Sequence, residues 1–126
     1  MNSNFSHIQI DGQGEHTIIM LHGWPDTGAL WDKQVADLQS DYRCVRLTLL
    51  GFAAGDTSRP LSMAEVVSWL DQSICAVTNR PVILMVHDWG AVFGYAYARS
   101  HPERVERLIA MDIGDTSEAF SRRLSF

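Results

Sequence analysis

Asp88 stands one residue after the apolar run 81–86 and just before a stretch rich in small residues, within the segment His87-Asp88-Trp89-Gly90. A second polar break, His22-Gly23-Trp24-Pro25, follows the apolar run 17–21. If the runs are strands and the small-residue stretch a helix, Asp88 sits at a helix N-terminus. Unpaired N–H groups and the helix dipole there favour a charged carboxylate. An ionised carboxylate needs no base before attacking a saturated carbon, unlike a serine hydroxyl. Aspartate is also a common helix N-cap, so the competing role for Asp88 is to satisfy backbone donors. His22 and His87 fall at strand ends, where a histidine bonded to backbone is commoner than a catalytic base; structural roles are expected for both.

The rest of the chain supplies the elements that would position these groups. Residues 5–10 alternate apolar and polar, as a half-exposed strand does, and 11–14 (Asp-Gly-Gln-Gly) read as a turn. Residues 17–21 form a β-branched, fully apolar run, the pattern of a strand buried on both faces. A helix follows over 29–38, a strand over 42–50 and a Gly-containing loop over 51–60. Ser62 with Glu65 three residues later forms a capping box. Val66, Val67, Leu70, Ile74 and Val77 then make one buried stripe. Residues 81–86 are again strand, 89–99 helix ended by Pro102, and 105–111 the last strand. Trp31, Trp69, Tyr95 and Tyr97 are expected to pack rather than react. Strands alternating with helices, the inner strands apolar throughout, predict an α/β fold with a mostly parallel sheet and helices on both faces. Chemistry in such sheets gathers where loops leave the carboxyl ends of the strands, which is where both polar segments fall.

Composition narrows the functions further. The chain has 126 residues, which suits a single α/β domain over 1–126. Ten basic against fifteen acidic side chains give a net charge of −5, leaving no basic stripe for nucleic acid. Gly12-x-Gly14 precedes a strand rather than a helix, so it is not a dinucleotide fingerprint; no cofactor and no metal are expected. Cys44 and Cys75 lie in apolar runs and are expected to be buried, inert thiols. No apolar stretch reaches the roughly twenty residues that span a bilayer. The N-terminal residues lack a secretory pattern, so a cytoplasmic protein without a membrane partner is expected.

The segment Val86-x-Asp88-x-Gly90-Ala91 resembles the nucleophile elbow of the α/β-hydrolase fold, with aspartate where esterases carry serine. His22-Gly23-Trp24-Pro25 resembles the oxyanion loop of that fold. Both together, with Gly51-Phe52, Pro60 and the stretch His101-Pro102-Glu103-Arg104-Val105, resemble the epoxide hydrolase and haloalkane dehalogenase branch over about residues 5–112. The resemblance implies that Asp88 is the nucleophile and forms an alkyl ester. It implies further that the backbone N–H groups of Trp24 and Trp89 hold the oxyanion when water cleaves that ester. Gly23, Pro25 and Gly90, with His22 and His87, would support this site. Trp24 tilts the resemblance toward epoxide hydrolases.

Two positions depart from the family. Val86 replaces the usual Gly before the nucleophile, and Leu49-Leu50 precede Gly51 where an Asp or Pro is usual. Family members are about twice as long and place the helical cap, its tyrosines, the triad acid and the histidine base after this point. The expectation is therefore an N-terminal half of the core, unable to turn over alone, that takes a small apolar electrophile. The alternative is a non-catalytic interaction module or an inert fragment. The strand 105–111 would present an apolar edge, and Phe120, Leu124 and Phe126 add apolar surface, so a homodimer or higher oligomer through this edge is expected.

Overall fold

The computed structural model describes residues 6–50 and 60–114. The expectations for Gly51-Phe52 and for Phe120, Leu124 and Phe126 fall outside these residues. Five strands, β1 (Ile8–Asp11), β2 (Thr17–Leu21), β3 (Arg43–Leu47), β4 (Val82–His87) and β5 (Val105–Met111), form one sheet in the order β1-β3-β2-β4-β5. β1 pairs antiparallel with β3, and every other pair is parallel. The helices are α1 (Asp32–Leu38), α2 (Met63–Val77) and α3 (Trp89–Ser100).

Both faces of the central strands are covered, as the unbroken apolar runs require. Because side chains alternate across a strand, Ile18 and Met20 of β2 face one way with Cys44, Ile83 and Met85, and pack with Trp31 and Val35. Ile19 and Leu21 face the other way with Val45, Leu47, Leu84 and Val86, against Val66, Leu70 and Ile74 of α2 and Ala91 and Tyr97 of α3. Each such side chain, wholly withdrawn from water, contributes about 1.5–3 kcal/mol. The α2 capping box is formed in full: Glu65 N–H donates to Ser62 Oγ (3.2 Å) and Ser62 N–H to Glu65 Oε2 (3.0 Å).

Four expectations need correction. The helix expected over 29–38 begins as a 3-10 turn, Gly28–Trp31, because Thr27 Oγ1 accepts the Ala29 N–H and starts a tight turn before α1. Arg46 then ties this turn to the sheet, reaching Gly28 O (3.2 Å) and the carboxylates of Asp32 and Asp11. Asp11 is strand rather than turn, opposite Cys44, and the turn begins at Gly12 with φ 77°. The strand expected over 42–50 ends at Leu47, and two residues on the Leu49 N–H turns to a histidine ring instead of a neighbouring strand. Finally, Cys44 is buried but Cys75 is exposed. Cys75 follows Ile74, and one helical step of about 100° carries it off the buried stripe, beside Arg104 Nη2 (3.4 Å). Burial, and next the Asp11 charge, push the Cys44 thiol up, which fits its inert reading. No helix among the described residues is long and apolar enough to cross a membrane.

Val86 finds its space at Gly94 of α3. A Cβ built on Gly94 would lie 2.8 Å from Cγ1 of the buried Val86 and 3.4 Å from its Cβ and Cγ2. A β-branched side chain in a sealed site cannot rotate away. Gly94→Ala therefore lowers stability in urea by about 1–3 kcal/mol despite alanine's better helix propensity. Adding Val86→Ala recovers part of the loss, a non-additivity that a double-mutant cycle measures.

His7 fastens β1 to α2. Its Nε2 lies 2.9 Å from Ser73 Oγ, whose own proton goes to Trp69 O (2.9 Å), so the imidazole donates and the hydroxyl accepts. Burial lowers the His7 pKa below its ordinary 6.5, so the neutral ring is favoured in the fold. Its stabilisation is complete above 6.5 and is lost as pH falls through the lower folded value. Urea midpoints between about pH 7 and 5 should fall more steeply for the parent chain than for His7→Gln.

Candidate active site

The site lies where three strands end side by side. The parallel ladder of β2 and β4 closes on the pair Leu21 and Val86, so Gly23 and Asp88 fall level two residues further on. The ladder of β4 and β5 closes on His87 and Met111, placing Asp112 level with Asp88 on the other side. Asp88 turns the chain sharply from β4 into α3 with φ 55° and ψ −124°. Such a conformation costs an ordinary residue about 1–3 kcal/mol and persists only where the surroundings hold it. Here the Asp88 carbonyl accepts from Ala91 N–H (2.9 Å) and Val92 N–H (3.3 Å), beginning α3, while its own N–H donates to Met111 O (3.4 Å).

The Asp88 side chain makes no capping bond to α3. Its Oδ2 instead accepts the backbone N–H of Trp24, in the loop after β2, at 3.2 Å. Among the described residues Oδ1 carries no hydrogen bond. The two loops come this close because glycine leaves the space: a Cβ on Gly23 would lie 2.4 Å from Asp88 Cβ and 2.5 Å from Oδ2. Gly90 does the same for the helix, since its Cβ would fall 2.4 Å from Leu21 O and 2.6 Å from His22 O. The Trp89 N–H, first in α3, has no acceptor within the helix. The indoles of Trp24 and Trp89 are 68% and 49% exposed, and Trp89 stacks on Phe93 with centroids 5.9 Å apart. The peptide between Trp24 and Pro25 is cis.

His22 is entirely buried. Its Nδ1 lies 2.9 Å from Gly23 O and must donate, while Nε2 accepts Leu49 N–H at 3.2 Å. The ring is thereby held in one neutral tautomer, a bracket between the loops after β2 and β3. His87 Nε2 meets Asp112 Oδ2 at 2.5 Å. Both histidines thus make structural contacts.

Asp88, Trp24, Trp89, Gly23, Gly90, His22, Pro25 and His87, all singled out from sequence, therefore occupy one end of the sheet. Asp112 was missed. It is the first residue past the strand that pairs with β4, which was the available signal. Tyr97 is buried, donates to Asp71 (3.0 Å) and stacks on His101, with burial raising its pKa; it serves packing. No group of three or more metal-binding side chains exists among the described residues.

Known proteins share this arrangement. The sequence pattern of the alpha/beta hydrolase fold matches residues 16–124. A cis-3-alkyl-4-alkyloxetan-2-one decarboxylase of Xanthomonas campestris is 33% identical over 73% of this chain and 34% of its own length. A haloalkane dehalogenase of Mesorhizobium japonicum is 27% identical over 89% of this chain and 36% of its own. The crystal structure of a Bacillus megaterium epoxide hydrolase with an inhibitor superposes with a TM-score of 0.75 and 33% identity, covering 82% of this chain and 37% of that one. The chain thus spans about a third of the length of the relatives it matches, rather than the half that the resemblance implied. With that pattern over most of its length and an aspartate at the elbow, the chain belongs to the alpha/beta hydrolase fold family, in its epoxide hydrolase and haloalkane dehalogenase branch.

Proposed function

We propose that Asp88 is a nucleophile that attacks a saturated, electrophilic carbon and forms an alkyl ester, as in an epoxide hydrolase. One observation carries the reading: Oδ2 is held on a backbone N–H while Oδ1 is left without a partner among the described residues. Oδ1 makes the new C–O bond and the carbon–oxygen or carbon–halogen bond of the substrate breaks. The leaving oxygen takes a proton from water, or the halogen departs as halide. Oδ2 then becomes the ester carbonyl oxygen and already lies against the Trp24 N–H, where an oxyanion would form on hydrolysis. The Trp89 N–H supplies a second donor at the same helix end.

The relatives named for their substrates act on oxetanones, haloalkanes and epoxides, all carbons activated by strain or by a leaving group. That shared electrophile class supports the reading, and Trp24 directly after His22-Gly23 favours the epoxide. Hydrolysis of the ester needs a base. His22 is committed to Gly23 O and Leu49 N–H, and His87 to Asp112. These residues therefore complete the first step and leave the second to residues beyond them. The β5 edge, paired on one side only among the described residues and carrying exposed Ile109, is on the same reading where a second copy adds in the 126-residue chain.

Styrene oxide should give one covalent adduct per chain, mapped to Asp88 by mass spectrometry in a Cys75→Ser background that removes the exposed thiol. Asp88→Asn should give none. Adducts scattered over other residues, or none in the parent, would remove the nucleophile reading. Gly23→Ala forces the carboxylate away and should cut the adduct rate by about a hundredfold. A strictly monomeric mass by light scattering at tens of micromolar, on the order of ordinary association constants, would exclude the self-association.

A further inference from the structure

We propose that Asp112, acting through His87, is a positioning residue for Asp88; the proposal rests on the reading of Asp88 as the nucleophile. Asp88 and Asp112 are the two non-glycine residues with positive φ among those described, at 55° and 73°. They are level with each other, each one step past the last paired residues of β4 and β5. Two contacts cross between these ends. Asp88 N–H reaches Met111 O, and His87 Nε2 reaches Asp112 Oδ2. The elbow is therefore gripped from both flanks: on the β2 side through Trp24 N–H and the open face of Gly23, on the β5 side through Asp112.

The second grip has no substitute. Among the described residues His87 Nδ1 is buried and has no hydrogen-bond partner, so the ring's polar contact there is made by Nε2. At 2.5 Å the ring nitrogen and the carboxylate oxygen are in direct contact. Its removal frees a part-exposed imidazole to turn toward solvent, and that ring is directly bonded along the chain to the strained residue that bears the nucleophile. The His87 side chain is 23% exposed and that of Asp112 is 66% exposed. Truncating Asp112 therefore opens no core cavity, and a change at Asp88 can be separated from unfolding.

The experiment compares the 126-residue chain with Asp112→Ala and Asp112→Asn, all in the Cys75→Ser background. Two readouts are taken: the rate of styrene oxide adduct formation at Asp88, and the amide resonance of Trp24, which reports the Trp24–Asp88 hydrogen bond. Asp112→Ala should slow labelling by about tenfold to a hundredfold and shift the Trp24 amide toward its position in Asp88→Asn, with little change in melting temperature. Asp112→Asn, which keeps an acceptor oxygen for the imidazole, should recover much of both. A purely structural Asp112 would lower the melting temperature and leave the Trp24 amide in place, and that result overturns the proposal. Labelling at the parent rate in Asp112→Ala overturns it too. If the parent chain fails to label, the nucleophile reading falls. The Trp24 amide then decides the positioning claim on its own: a shift in Asp112→Ala upholds it and an unmoved resonance overturns it.

Discussion

Contact between the carboxylate of one loop and the backbone of another governs this end of the molecule. Asp88 Oδ2 can meet Trp24 N–H at 3.2 Å only if β2 and β4 end level, nothing protrudes from residue 23 and the helix after Asp88 enters close to β2. Each condition has its own residue. The level ends follow from the pairing of Leu21 with Val86, which is fixed by side chains buried on both sheet faces. A register slip by one residue would carry each side chain to the opposite face, against packing partners of the wrong shape. Gly23 and Gly90 then permit an approach that any other residue would block by ångströms rather than tenths.

The strained turn at Asp88 is held by interactions outside it. Its cost of about 1–3 kcal/mol is offset by hydrogen bonds at its carbonyl and N–H, each contributing about 0.5–1.5 kcal/mol, and by α3 packing over β4. Val86 shows how the family pattern bends. The branched side chain just before the elbow is accommodated one helical turn beyond the site, where Gly94 has no side chain to oppose it. His22 contributes in another way. A wholly buried imidazole with both nitrogens engaged links the loops after β2 and β3 and ends the β3 ladder at Leu47.

Much of this was legible in the sequence, for reasons particular to the residues. The runs 17–21 and 82–86 contain nothing but residues suited to a doubly covered strand, and no other element explains them. The pair Ser62 and Glu65 marks a helix start because both reciprocal bonds are local. Asp88 stood out because it joined an apolar strand to a helix. What failed to show was whatever depended on the third dimension. Cys75 reads as buried from its neighbours in sequence, yet one helical step sets it at the surface. Asp112 is marked in sequence only as the first residue after an apolar strand, and that it lies level with Asp88 comes from the pairing of β5 with β4. The family resemblance implies only that the Trp24 N–H is an oxyanion donor. That the same N–H orients the carboxylate itself required the register of β2 against β4.

A carboxylate nucleophile also divides the reaction differently from a serine. Serine must lose its proton as it attacks, so its base has to be present at the first step. A carboxylate attacks in the form it already has, and on the proposed chemistry its first step requires only aim, which residues 22–24, 86–90 and 111–112 on three adjacent strand ends would supply. Those segments are close in space because the sheet is parallel and its connections cross behind it, which puts every carboxyl end on one edge. The base for the second step is under no such constraint and can arrive from a distant part of a longer chain. On the proposed chemistry, the region that aims the carboxylate and the region that hydrolyses the ester are thus separable in sequence. A chain spanning about a third of its relatives' length can contain the whole of the first.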